Sequence, residues 1–228
     1  HNPDDVFDHT LGCMRALPEA VKRMNALADK PHRLGEEDGV ILAWALLCHD
    51  LGKPATRTED GRGNTHFYNH QRLSVRLAEG VCRRLRFSRE RIEQVQRLIA
   101  LHSRPMQLVL AGTPRRGLRR FIHLAARSLP RQLALYMADR MSKGDLDERA
   151  EAFVRSCWEL YLTEGDELIT PLRLVSGEDV MEVMGLPASP EVGRVMESIL
   201  RLQVAGELCS REEAMAYLRR LKAKRAVR

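Results

Sequence analysis

A run of nine apolar residues, Val40 to Cys48, ends in a histidine and an aspartate side by side, His49 and Asp50, followed by Leu51, Gly52, Lys53 and Pro54. A charge-free run of this length predicts a helix of roughly three turns, apolar on all faces and set inside the domain, with Asp38 as N-cap, Gly52 as stop and Pro54 barring continuation. An imidazole and a carboxylate at the last turn of such a helix are costly in a dry environment unless they are paired, hydrogen-bonded or bound to a metal. The chemistry of the chain therefore turns on what His49 and Asp50 meet.

The flanking sequence is helical almost throughout. Phe7, Leu11, Met14 and Leu17 recur at helical spacing, with His9 in the first turn of that segment. Thr56 to Thr65 is rich in glycine and charge and reads as an exposed loop or short hairpin. From His66 a helix is expected with Leu73, Leu77, Val81 and Leu85 as its buried stripe, and with His66 and His70 on one face. Ser88 caps a segment in which Ile92, Val95, Ile99 and His102 share a face, and Arg104-Pro105 breaks it. Pro130 opens a helix that places Leu135 and Asp139 together. Later signals are a capped helix between Ser176 and Gly185, a start at Ser189-Pro190, and a capping box from Ser210 to Glu213. Strand-like alternation is nearly absent, so the predicted fold is all-α.

Composition narrows the function classes. With 228 residues, 44% hydrophobic and 30% charged, the chain is long enough to bury a real core. It has no run of the ~20 apolar residues needed for a membrane span and no signal-peptide pattern, so a cytoplasmic protein is expected. Five scattered cysteines without a CxxC suggest reduced thiols, not a disulfide frame or zinc knuckle. The net charge of +6 leans toward a polyanionic partner. The chain begins at His1 and not at methionine, so residues ahead of it are expected.

His9, the pair His49 and Asp50, and Asp139 are imidazoles and carboxylates beside apolar neighbours on separate expected helices. These are ligand types suited to Mg²⁺, Mn²⁺, Fe, Ni²⁺ or Zn²⁺. From about Asp4 to Lys143 the chain resembles the HD superfamily of metal-dependent phosphohydrolases, whose pattern is H…HD…D on a helical bundle. The resemblance implies that His9, His49, Asp50 and Asp139 hold a first divalent ion, and that His70 and His102 match histidines used by some members for a second. A divalent ion lowers the pKa of bound water from ~15.7 toward ~7 and stabilises charge on phosphoryl oxygens. Asp50 is expected to bridge ions or orient the nucleophilic water. Lys53 is expected in a catalytic role, and Lys53 and Arg104 as phosphate partners. His66 has a weaker case as a ligand, His123 reads as packed, and His32 lies in a polar loop.

The resemblance extends further. DVFDHTL, ALLCHDLGKPATRT, THFYNHQRLSVRLAE, GLRRF and GLPASPEVGRVMESILRLQVAGELCSREEA are similar to the carboxy-terminal half of bacterial tRNA nucleotidyltransferases of the CCA-adding and poly(A) polymerase family. It implies an HD phosphohydrolase domain over residues 1–145 and a helical body or tail-like region over 146–228. It also implies a nucleotide or RNA-end phosphoester as substrate, tRNA or another RNA as partner, and an amino-terminal nucleotidyltransferase head absent from this chain. Arg115, Arg116, Arg119 and Arg120 are the candidate RNA-binding residues, although a solvated helix face is the more usual role of such a run. The competing expectation is a non-catalytic RNA-binding body whose metal site is structural or vestigial.

Overall fold

The computed structural model describes residues 6–226. Among these, the order is α1 (Val6–Leu27), α2 (Glu36–Cys48), β1 (Arg57–Glu59), β2 (Thr65–Phe67), α3 (His70–Arg84), α4 (Arg89–Leu101), α5 (Arg104–Leu110), α6 (Arg115–Ala125), α7 (Leu129–Met141), α8 (Glu148–Ile169), α9 (Gly177–Met184), α10 (Pro190–Ala205) and α11 (Arg211–Ala226). The fold is all-α apart from one antiparallel hairpin, in which Arg57 pairs with Phe67, Thr58 with His66 and Glu59 with Thr65. No helix among the described residues is long and apolar enough to cross a membrane.

The chain forms two compact units. Among the described residues, the first holds 6–112 together with 127–158, and the second holds 113–126 and 159–226. This differs from the division expected at residue 145: α6 groups with the later helices, and α8 contributes to both units.

In the first unit, α1 packs along α7 and α2, and α2 also meets α3 and α4. The element buried on every side is α7, in which Leu129, Pro130 and every residue from Gln132 to Ala138 are buried. The expectation that the Val40–Cys48 helix is enclosed on all faces is corrected. Val40 and Leu47, seven residues apart and so on one stripe, are 50% and 43% exposed. Lack of charge permits burial but does not require it, because apolar side chains also make up much of any protein surface. Asp38 is not the N-cap either: Gly35 is, and its N–H donates to Asp38 Oδ2 at 2.9 Å.

Two other stripes are shifted from expectation. In α1 the buried positions are Thr10, Cys13, Leu17, Ala20 and Met24, while Phe7 is 72% exposed. The helix α3 begins at His70, and His66 belongs to β2, so the two histidines do not share a helical face. The buried stripe of α3 is His70, Ser74, Ala78 and Cys82, with Leu77 and Leu85 exposed. Small residues there let α3 lie close to the turn after α2. The leucines beside them carry more apolar area but point the wrong way.

The second unit buries Val175, Val180, Val195, Ile199, Ala214 and Leu218 among α9, α10 and α11. Its helix ends follow the expected chemistry. Ser176 Oγ accepts from the Asp179 N–H at 3.2 Å, Asp179 Oδ2 accepts from the Ser176 N–H at 2.7 Å, and Gly185 closes α9 in the left-handed region. At α11, Ser210 Oγ accepts from the Glu213 N–H, but Glu213 reaches back to the Cys209 N–H and not to that of Ser210.

Candidate metal centre

Helix packing in the first unit brings all six predicted ligand residues together. The close approach of α1 to α7 sets His9 against Asp139, with Nε2 to Oδ1 at 2.9 Å. Gly12, one turn further along α1, makes room for this: a Cβ there would lie 3.1 Å from Ser142 Cβ. α2 ends at Cys48, and His49 and Asp50 continue into the turn that follows it. Gly52 does not stop the helix by adopting a left-handed conformation. A Cβ on it would sit 2.4 Å from the His70 carbonyl oxygen, and its N–H donates to Ser74 Oγ at 2.9 Å. The residue is a contact point that seats the turn against the start of α3.

Asp50 lies at the centre. Its Oδ2 is 3.1 Å from His49 Nε2, 3.7 Å from His9 Nε2 and 2.6 Å from Lys53 Nζ. Its Oδ1 is 3.5 Å from His70 Nε2 and 3.6 Å from His102 Nε2. The floor of this cluster is dry and its rim is wetter: His49 and Asp50 are 1% and 2% exposed, whereas the side chains of Lys53 and Asp139 are 16% and 21% exposed. Burial opposes ionisation of Asp50, yet His102, His49 and Lys53 hold its carboxyl well below the usual carboxylate range. Burial also opposes ionisation of Asp139, but His9, His49 and Lys143 together outweigh it, leaving that carboxyl at about 2. His70 is lowered by burial above all.

The histidines are held in one sense. His49 Nδ1–H donates to the Leu46 carbonyl at 2.6 Å, His70 Nδ1–H to Phe67 at 2.8 Å and His102 Nδ1–H to Ile99 at 2.7 Å. A carbonyl can only accept, so Nδ1 carries the fixed proton and each Nε2, pointing at Asp50 or another imidazole, is the atom left to take up a second proton or a metal ion. His9 follows the same pattern through a hydroxyl: Nδ1 lies 3.0 Å from Ser142 Oγ, which itself donates to the Asp139 carbonyl at 2.7 Å. The short hairpin, expected only as a connector, supplies the Phe67 carbonyl to His70 and the Phe67 ring beneath Lys53 Nζ, 5.7 Å from its centroid.

This donor set fits a divalent cation. His49 Nε2 and Asp50 Oδ1 are buried with no hydrogen-bond partner, and the Nε2 atoms of His70 and His102 face each other at 3.1 Å. Lone pairs directed at one another and at carboxylates repel unless a cation lies among them. By proximity the donors form two sets, His9, Cys13, His49 and Asp139 in one and Asp50, His70 and His102 in the other. Asp50, assigned above to the first set, lies between them with one oxygen toward each.

Sequence reading missed Cys13 and Ser142. Cys13 is fully buried one helical turn from His9, its Sγ 3.6 Å from His9 Nε2, and burial first and the Asp139 charge second push its thiol up to about 12. The signal was spacing: Cys13 follows His9 by four, and Ser142 follows Asp139 by three.

The remaining candidates lie elsewhere. Arg104 is exposed at the first turn of α5, which it and Pro105 open after the α4 C-cap, His102, and the α5 N-cap, Ser103. In the second unit Arg115 and Arg119 pair with Glu164, Arg119 Nε also donates to the Val204 carbonyl at 2.8 Å, and Arg120 pairs with Glu207 at 2.9 Å. Arg116 is exposed. His66 pairs with Asp60 on the hairpin, His32 with Asp29, and His123 Nδ1–H donates to the Leu168 carbonyl.

A histidine on an early helix, a His-Asp pair at a helix end and an aspartate on a late helix, all converging, define the HD domain. The family model of that description matches residues 6–143, and the chain belongs to this family. Among curated proteins it is 34% identical over 178 residues to the CC-adding tRNA nucleotidyltransferase of Thermus thermophilus, covering 76% of this chain and 38% of that protein. It is 27% identical over 220 residues to the A-adding tRNA nucleotidyltransferase of Deinococcus radiodurans, covering 95% of this chain and 46% of the relative. A CC-adding enzyme of Synechocystis sp. matches at 27% over 218 residues, 93% of this chain and 45% of the relative. The chain thus spans less than half the length of these relatives.

Proposed function

We propose that the first unit is a metal-dependent phosphohydrolase acting on a nucleotide or RNA-end phosphoester, within a protein of the tRNA nucleotidyltransferase kind whose nucleotidyl-transfer head lies outside this chain. One observation carries the reading: four histidines and two carboxylates form two adjacent donor sets joined at Asp50, with His49 Nε2 and Asp50 Oδ1 buried and unsatisfied. Such a cluster costs stability unless a cation offsets it. A bound divalent ion there supplies Lewis-acid chemistry, acidifying water and neutralising charge on phosphoryl oxygens.

The protein's own groups act around that chemistry. His9, His49 and Asp139 would hold one ion and His70 and His102 a second, with Asp50 placed to serve either through its two oxygens. Lys53, held beside Asp50 at the wetter rim, is the residue that turns to a substrate phosphate, and exposed Arg104 extends the positive charge along the entry. Arg116 is the strongest RNA contact of its group, since Arg115, Arg119 and Arg120 are engaged by Glu164 and Glu207. Phosphate contacts of this kind make RNA affinity fall as salt rises. The protein acts in the cytoplasm, where tRNA ends are available.

Hydrolysis of 2′,3′-cyclic AMP with Mg²⁺, Mn²⁺, Ni²⁺ or Zn²⁺ supplied in turn tests this. Metal-dependent turnover that disappears in Asp50→Ala is expected, and no turnover with any ion would overturn the assignment. A second reading, a helical body that binds RNA without turnover, is favoured by one feature: Lys53 Nζ, 2.6 Å from Asp50 Oδ2, is an internal cation that partly satisfies the cluster. Salt-sensitive tRNA binding without hydrolysis would support it.

A further inference from the structure

Cys13 is buried in the wall of the metal centre, and no role assigned so far uses it. Its Sγ lies 3.6 Å from His9 Nε2, and together with donors of His9, His49 and Asp139 it falls within a span of 4.8 Å. His49 Nε2 points into the same set, 1% exposed and without a hydrogen-bond partner. The group therefore has a sulfur, two imidazole nitrogens and a carboxylate oxygen, drawn from α1, the turn after α2, and α7.

The separation fits shared coordination. Zinc–sulfur and zinc–nitrogen bonds of ~2.3 and ~2.0–2.1 Å at a tetrahedral angle place sulfur and nitrogen ~3.6 Å apart. The fourfold spacing of His9 and Cys13 along one helix holds that separation without any loop movement. The other set, Asp50 with His70 and His102, has only oxygen and nitrogen donors.

From these donors we propose that Cys13 is a ligand of the first ion, so that the His9–Cys13–His49–Asp139 site is selective for a borderline or soft cation such as Zn²⁺, Co²⁺ or Ni²⁺ over Mg²⁺. Binding replaces the thiol proton by the metal–sulfur bond and releases that proton to solvent, with no change of oxidation state. Sulfur ligation also changes the preference of the centre, since thiolates suit zinc and its neighbours while Mg²⁺ keeps oxygen ligands. The inference rests on the metal centre proposed above and extends it to a ligand and a metal class.

Titration of the full chain with Co²⁺, followed by near-ultraviolet and visible absorption beside equilibrium dialysis, separates the two. The expected result is retained Co²⁺ with a strong thiolate-to-cobalt charge-transfer band that is lost in Cys13→Ser and kept in Cys48→Ser. Retained Co²⁺ with only weak visible bands would overturn the role of Cys13 and leave the metal centre standing. No retained Co²⁺ would overturn both. X-ray absorption of the unmutated chain loaded with Zn²⁺ needs no variant: a sulfur shell at ~2.3 Å is expected, and a shell of oxygen and nitrogen alone would refute the proposal.

Discussion

The two compact units differ in where they place their polar groups. In the second, the buried cluster is wholly apolar, from Val175 and Val180 to Ala214 and Leu218, and the charged groups around it find partners within the unit. Asp179 caps α9 and pairs with Arg211, and Glu164 and Glu207 take three arginines of α6. In the first, enclosed polar groups gather at one place, where His49 Nε2 and Asp50 Oδ1 are buried without a hydrogen-bond partner. Gln203 Oε1 in the second unit is also buried without a partner but belongs to no ligand cluster, whereas the lone pairs gathered around Asp50 in the first are arranged so that a cation could lie among them.

Several substitutions would break or sharpen that contrast. The largest effect is expected from Asp50→Asn, which keeps the shape and removes the charge. Turnover should fall by at least ~10³-fold, about 4 kcal/mol in the barrier, with circular dichroism unchanged. In the second unit, Leu218→Ala empties a fully buried position and should cost about 2–5 kcal/mol in denaturant titration. Metal content should not change, because the residue lies in the unit without the cluster. Gly52→Ala is smaller in atoms yet forces a Cβ against the His70 carbonyl, with an expected cost of about 1–3 kcal/mol. It should also weaken metal retention, since His70 must move. Wild-type stability together with wild-type metal content in this variant would show that the contact does not fix the site.

The smallest effect concerns acid. Arg211 and the Ser176 backbone N–H hold the Asp179 carboxyl at about 2, below its ordinary value near ~3.9. A depressed carboxyl contributes stability that is fully present above its unfolded value and lost as pH falls toward the folded one. Helicity of the second unit should therefore weaken between pH ~4 and ~2, and Asp179→Asn should abolish that part of the acid sensitivity. A transition identical in the variant would mean that the pair contributes nothing measurable.

The sequence was legible where one residue type dominates a position. The all-α architecture, the Ser176 and Gly185 ends of α9, and the candidacy of His9, His49, Asp50, His70, His102 and Asp139 all follow from patterning, capping chemistry or motif. It was less legible where small residues decide packing. Ser74, Ala78 and Cys82, and not the leucines next to them, form the inner face of α3, and Gly52 acts through a contact with His70 that lies far along the chain. The backbone carbonyls of Leu46, Phe67 and Ile99 orient the histidines, and no side-chain pattern announces them. Nor could the run of arginines reveal Glu164 and Glu207, which are distant in sequence and engage three of the four.

The cluster around Asp50, as proposed, holds divalent metal. Equilibrium dialysis of the purified chain against Zn²⁺, Mn²⁺ and Ni²⁺ in turn, with bound metal counted by mass spectrometry, tests it most directly. At least one ion retained per chain is expected, with loss of that ion in Asp50→Ala at unchanged helicity. A folded chain that retains none of the three, or an Asp50→Ala variant that retains as much as the wild type, would contradict it.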